Sequence, residues 1–125
     1  MNVFYKFTTK WAESNNTTIM LLKEDVPIGV VCVDYRGANK KEATIWNLCV
    51  DERFRKRGFG HALLEEALRD VESYRCESVT LEWKAVDTDG WVLDWYKRKG
   101  FKVLGGHYGG CVMLQKRLWA TGKQK

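Results

Sequence analysis

The alternation of apolar and polar residues changes period twice along this chain, and those changes mark out its elements. Val3-Phe4-Tyr5-Lys6-Phe7 is short and aromatic, the composition of an edge strand. Thr8 to Asn16 is polar, with Trp11 and Ala12 fitting one helical turn and Asn15-Asn16 reading as a break. Thr17 to Lys23 and Ile28 to Tyr35 are β runs joined by Glu24-Asp25-Val26-Pro27, a hairpin signature. After the polar loop from Arg36 to Lys41, a third run from Glu42 to Val50 completes an antiparallel meander.

The period then shifts from two to 3.6. From Phe59 to Tyr74 the apolar positions Leu63, Leu64, Ala67, Leu68, Val71 and Tyr74 recur at helical spacing, with Glu65 and Arg69 as a favourable i,i+4 pair on the other face. Ser78 to Lys84 returns to strand character. Asp87-Thr88-Asp89 offers N-caps for a second helix, Trp91 to Lys99, which ends in Lys97, Arg98 and Lys99 and closes on Gly100. Phe101 to Leu104 and Cys111 to Leu118 read as closing strands linked by a glycine-rich segment from Gly105 to Gly110. A meander followed by a βαβ crossover predicts an α/β protein of the α+β type. Its sheet is mixed and mostly antiparallel, with flanking helices, and Ala43–Val50 and Ser78–Lys84 form its central parallel strand pair.

With 125 residues, the chain is expected to form one domain spanning 1–125. No apolar run approaches the ~20 residues of a membrane span, and the N-terminus lacks a signal-peptide pattern, so a cytoplasmic protein without a membrane partner is expected. Cys32, Cys49, Cys76 and Cys111 are scattered singly beside only two histidines. Reduced thiols and no metal site follow from that spacing.

Charge narrows the picture further. The net +5 is concentrated at Arg53, Arg55, Lys56 and Arg57 and again at Lys97, Arg98 and Lys99, which suits an anionic ligand. Nucleic-acid binding would want a continuous basic face with interleaved aromatics, and none can be traced.

Two constellations carry candidate chemistry. Arg55-Lys56-Arg57-Gly58-Phe59-Gly60 has the form R-x-x-G-x-G, lying between the end of a β run and the start of a long helix. Glycines let the backbone turn tightly and approach a phosphate, while the first helical turn supplies free N–H groups and a positive dipole end. Such a string is also common in solvated loops; its context favours the cradle. It is no Walker loop, since no G-K-[ST] follows. The second constellation, Tyr96-Lys97-Arg98-Lys99-Gly100-Phe101, has the form Y-x-x-x-G-F, which taken alone fits an aromatic helix packed to its glycine cap.

In family order and near-family spacing, the strand from Ile45 to Val50, the turn, Thr80-Leu81-Glu82-Trp83, Tyr96 with Gly100-Phe101, and Val112 to Lys116 together resemble the GNAT superfamily of N-acetyltransferases. The resemblance covers about residues 17 to 118 and implies a single GNAT-like domain with acetyl-CoA as co-substrate. It implies that Leu48, Cys49 and Val50 pair with the pantetheine arm and polarise the thioester carbonyl. Arg55, Lys56, Arg57, Gly58, Phe59 and Gly60 would hold the pyrophosphate, largely through backbone N–H groups. Tyr96 would be the general acid for the departing thiolate, and Glu82 either takes the amine proton or is a structural carboxylate. Asn47 is a further candidate for positioning a water.

The chain also departs from the family. An asparagine often stands seven residues before the tyrosine; here Asp89 does, better suited to cap the helix than to face an anion. Where the family places two helices, only Thr8 to Thr18 remain. The acceptor site is therefore expected to be open, or completed by a second subunit in a homodimer. His107 and Tyr108 fall where members often contact the acceptor. Trp46, Trp83, Trp91 and Trp95 either line that pocket or pack the core.

The expected function is transfer of acetyl from acetyl-CoA to an amine of a small molecule or protein by direct attack. The alternative is a non-catalytic acyl-CoA-binding or protein-interaction module of the same fold.

Overall fold

The structure is a computed structural model that describes residues 2–11, 14–36, 41–84, 90–108 and 111–118, with backbone alone at 11, 82–84, 90–92, 105–108 and 111. Its strands are β1 (Asn2–Trp11), β2 (Ser14–Lys23), β3 (Val26–Arg36), β4 (Glu42–Val50), β5 (Ser78–Lys84), β6 (Lys102–Tyr108) and β7 (Cys111–Arg117). Two α-helices are inserted, α1 (Phe59–Ser73) after β4 and α2 (Gly90–Arg98) after β5. The strands form one sheet in the order β1-β2-β3-β4-β5-β7-β6. Among the described residues only β4 and β5 run parallel, as the crossover through α1 requires, and every other pair is antiparallel.

The N-terminal expectation needs correction. Trp11 extends a strand, Ala12 lies outside the described residues, and no break falls at Asn15-Asn16: β1 and β2 pair from Asn2↔Lys23 to Trp11↔Ser14. Polar residues here find partners across strands. Thr8 and Thr17 bring their hydroxyls within 3.4 Å, and the Asn16 amide donates to the Asp34 carboxylate on β3. Cross-strand pairing thus overrides a weak local turn preference. At the other end of the sheet β6 runs on through Gly105 and Gly106 to Tyr108, and its register against β7 shifts between Val103 and His107.

One face of the sheet holds the core. Ile19, Leu21, Val31, Val33, Ala43, Ile45, Val79, Leu81 and Leu114 point to it and pack beneath Leu63, Leu64, Ala67 and Val71, the buried stripe of α1. A Cβ on Gly29 would lie 2.7 Å from Leu63 Cδ1, so the close approach of α1 to β3 depends on that glycine. Polar groups tie the same helix down. The buried Tyr35 hydroxyl donates to Asp70, and Lys6 from β1 reaches Glu66 at 3.1 Å and Asp70 at 3.5 Å. Arg69 pairs with Glu66 at 3.1 Å rather than with Glu65, which turns toward α2.

The second helix lies beside the first. Its end is a glycine-capped hairpin of hydrogen bonds, Phe101 N donating to Tyr96 O at 3.2 Å and Gly100 N to Lys97 O at 3.0 Å, with Gly100 at φ 100°. Strand alternation sends Val3, Tyr5, Phe7, Met20, Val30 and Trp46 to the opposite face, and among the described residues no helix covers it.

Candidate functional site

The site begins where the parallel pair comes apart. β4 and β5 are in register from Glu42↔Ser78 to Ile45↔Leu81 and no further, although β4 continues to Val50 and β5 to Lys84. The cause lies on the other side of β4. Cys32↔Trp46 is followed by Val30↔Cys49, so three steps of β4 oppose two of β3, a bulge with its extra residue at Asn47-Leu48. Asn47 takes φ 56°, a left-handed conformation that asparagine tolerates better than most residues. The bulge bends β4 away from β5 and leaves the β5-facing backbone of residues 46–50 without a strand partner. Leu48 is half-buried, Cys49 exposed and Val50 buried, so the unpaired stretch is reachable from solvent.

Beyond Val50 the chain forms a hydrogen-bonded turn. Asp51 N donates to Ile28 O at 2.8 Å, and the Asp51 carboxylate caps a 3₁₀ turn, Glu52–Phe54, by accepting from Arg53 N. The Arg53 guanidinium closes on the same carboxylate, which holds Asp51 below the usual carboxylate range. Arg55 Nε donates to Val50 O at 3.0 Å and pins the turn to the end of β4. Lys56 and Gly58 both take positive φ, 64° and 85°. Gly58 is then the N-cap of α1, with no side chain bonded to the first turn and no acidic residue in it. The N–H groups of Phe59, Gly60 and His61 therefore converge on open space with the positive end of a 15-residue helix dipole behind them. Near Gly60 the closest atom to an added Cβ is Val50 Cγ2 at 3.7 Å, so a ligand can approach the backbone directly. Lys56 and Arg57 are exposed beside the turn; Arg57 lies 5.6 Å from the Phe54 ring centroid. An uncapped helix start flanked by basic residues thus opens onto an unpaired stretch of strand.

A model of the acetyltransferase (GNAT) family matches residues 2–101. The chain belongs to the GNAT family of acetyltransferases. Solved structures agree on the fold. The ribosomal-protein-S18-alanine N-acetyltransferase from Escherichia coli matches with a TM-score of 0.76 at 16% identity, over 100% of this chain and 99% of that one. A GNAT family acetyltransferase from Elizabethkingia anophelis with acetyl-CoA bound gives 0.69 at 13% identity, over 94% of this chain and 98% of that one. PaiA N-acetyltransferase from Thermoplasma acidophilum, in complex with coenzyme A, gives 0.65 at 19% identity, over 82% of this chain; the chain spans 60% of PaiA's length.

In this GNAT domain the second constellation comes to the flank of α1, where the Trp95 and His61 rings lie 4.6 Å apart. Tyr96 is 5% exposed, between the rings of Trp95 at 5.3 Å and Phe101 at 6.1 Å, and it shares one apolar cluster with Val50 and Leu63. Burial pushes its hydroxyl up to about 12, so it is protonated at neutral pH. Among the described residues that hydroxyl has no hydrogen-bond partner.

A bridge that the sequence did not reveal joins the helices. Lys99 Nζ bonds Glu65 Oε2 at 2.7 Å, His61 Nε2 lies 3.3 Å from the same carboxylate, and the His61 and Trp95 rings are 4.6 Å apart. The Lys99 contact keeps Glu65 ionised below the usual range. Thirty-four positions separate the ion pair, so no local pattern could signal it.

The backbone of Glu82 pairs with Met113 just beyond the point where β5 leaves β4. The side chains of Glu82, Trp83, Trp91, His107 and Tyr108 lie outside the described residues, as does Asp89 entirely. Trp46 stands on the helix-free face beside the bulge, 39% exposed, rather than in the core.

Proposed function

We propose that this chain transfers an acetyl group from acetyl-CoA to an amine by direct attack on the thioester. One observation carries the reading: β4 leaves its parallel partner at Ile45 and exits into an uncapped, glycine-opened helix start. The free backbone of Leu48, Cys49 and Val50 suits the amides of a pantetheine arm and would polarise the thioester carbonyl. Backbone N–H groups from Lys56 through Gly60 suit the pyrophosphate, with Lys56 and Arg57 adding charge, while the Arg55 N–H is already given to Glu52 O. The Arg55 side chain supports the site indirectly, through its bond to Val50 O. Tyr96 gives its phenolic proton to the departing thiolate and regains one from solvent. Glu82 takes the proton the amine loses on attack.

The helix-free face beside the splayed strands leaves room for an amine presented by a protein as well as by a small molecule. A cytoplasmic setting fits the free thiols at Cys32 and Cys49. Calorimetry with acetyl-CoA and then a thiol-release screen across amines and peptides tests the proposal. Binding with turnover on some acceptor supports it; no binding removes it. A second reading, an acyl-CoA-binding module without turnover, draws on the direct β1–β2 hairpin, in which two residues stand between the strands. Binding without turnover on every acceptor would favour that module.

A further inference from the structure

The two edges of the sheet are built differently. β6 is seven residues long and its register breaks, which blunts it as a template. β1 runs ten residues without a bulge, and among the described residues nothing pairs with its outer side. A long, regular, open edge accepts another strand unless charge guards it. The charge at the centre of β1 is Lys6, and it is turned to the helix face and held there by Glu66 and Asp70 at 3.1 and 3.5 Å. On the helix-free face Val3, Tyr5 and Phe7 are 51%, 58% and 42% exposed, with the Tyr5 and Phe7 rings 5.9 Å apart.

We propose that β1 pairs antiparallel with β1 of a second copy about a two-fold axis at Tyr5, joining two seven-stranded sheets into one. The strand is self-complementary in this register. Tyr5 faces Tyr5 of the second copy, and Val3 faces Phe7 on either side of it, so the exposed stripe is covered by its own image. On the helix face Phe4 meets Lys6, and Asn2 meets Thr8. No like charges are opposed. An axis at Lys6 instead sets Lys6 against Lys6 and Asn2 against Lys10. A two-fold perpendicular to the sheet keeps both helix-free faces on one side, which makes the two aromatic stripes continuous. A second copy is the occupant because the pattern matches itself from Asn2 to Thr8, with Lys10 and Trp11 lying beyond the paired stretch. None of this depends on the acyl-transfer reading.

Sedimentation velocity over a wide concentration series tests the pairing. The wild type is expected to dimerise. Tyr5→Lys, which sets two charges across the axis, raises the dissociation constant at least about tenfold. Val26→Lys, 52% exposed and off the edge, leaves association unchanged. Tyr5→Cys is expected to crosslink to itself on oxidation, whereas Lys6→Cys is not, and peptide mapping identifies the linked residue. Since Tyr5 is exposed both variants should fold, as circular dichroism will verify. Should Tyr5→Lys fail to fold, the crosslink carries the test. A wild type that stays monomeric, a dimer indifferent to Tyr5→Lys, or crosslinking at Lys6→Cys instead of Tyr5→Cys overturns the proposal.

Discussion

Replacing Tyr96 with Phe separates function from packing more cleanly than any other change in this chain. The ring stays and keeps its contacts with Trp95 and Phe101. Only the hydroxyl goes, and it is buried with no hydrogen-bond partner among the described residues. Holding an unpaired hydroxyl out of water costs about 1–3 kcal/mol. The variant should therefore be no less stable than wild type, and more stable by up to about 1 kcal/mol, a rise of about 3 °C in Tm for a chain of this size. If the hydroxyl protonates the thiolate, turnover should fall about 10²–10⁴-fold with little change in acetyl-CoA affinity. Calorimetric melting supplies the first number. Thiol release with a chromogenic disulfide supplies the second, after subtracting the signal from exposed Cys49. Unchanged turnover removes Tyr96 from the chemistry. A Tm several degrees lower shows the hydroxyl to be structural, and refutes the burial reasoning.

Gly29→Ala drives a Cβ to 2.7 Å from Leu63 Cδ1 and 3.2 Å from Cys49 O, and should destabilise by about 1–3 kcal/mol in denaturant titration. Gly58→Ala forces an L-residue to φ 85° and should cost about 1–2 kcal/mol, although nothing lies within 4 Å of its Cβ. At Gly60 an added Cβ comes no nearer than 3.7 Å to Val50 Cγ2, so Gly60→Ala should leave folding stability within about 1 kcal/mol, while weakening acetyl-CoA by calorimetry. Alkali should also unfold the protein. Burial raises the Tyr96 phenol from 10.0 to about 12 and the Cys76 thiol from 9.0 to about 11, and raises Tyr35 as well. Between the ordinary and the raised values the unfolded chain sheds protons that the folded one keeps, so stability is full below pH 9 and falls as pH climbs toward 12. Denaturation midpoints across that range should decline, less steeply in Tyr96→Phe.

How much of this was legible in the sequence depended on the range of the interaction. The apolar stripe Leu63, Leu64, Ala67 and Val71 and the run Ser78–Lys84 announced α1 and β5, because local periodicity alone decides them. The crossover between them then required the parallel pair. Long-range decisions were silent. Asn47 becomes a bulge only because β3 offers one residue too few, and Thr8 to Trp11 extend β1 only because β2 supplies partners. Glu65 has the spacing to pair with Arg69 on its own helix, yet Lys99, just past the end of α2, reaches it at 2.7 Å. The turn from Arg55 to Gly60 was legible as a phosphate-friendly string; that Arg55 would turn back to Val50 O was not.

The unpaired end of β4 and the open start of α1 are proposed to hold acetyl-CoA together, and everything else in the functional reading depends on that. Amide chemical-shift mapping on ¹⁵N-labelled protein titrated with acetyl-CoA reads those groups one by one. The largest shifts are expected at Leu48, Cys49 and Val50 and at Gly58, Phe59, Gly60 and His61. Saturating acetyl-CoA that leaves these seven amides in place, or moves only residues elsewhere, would contradict it.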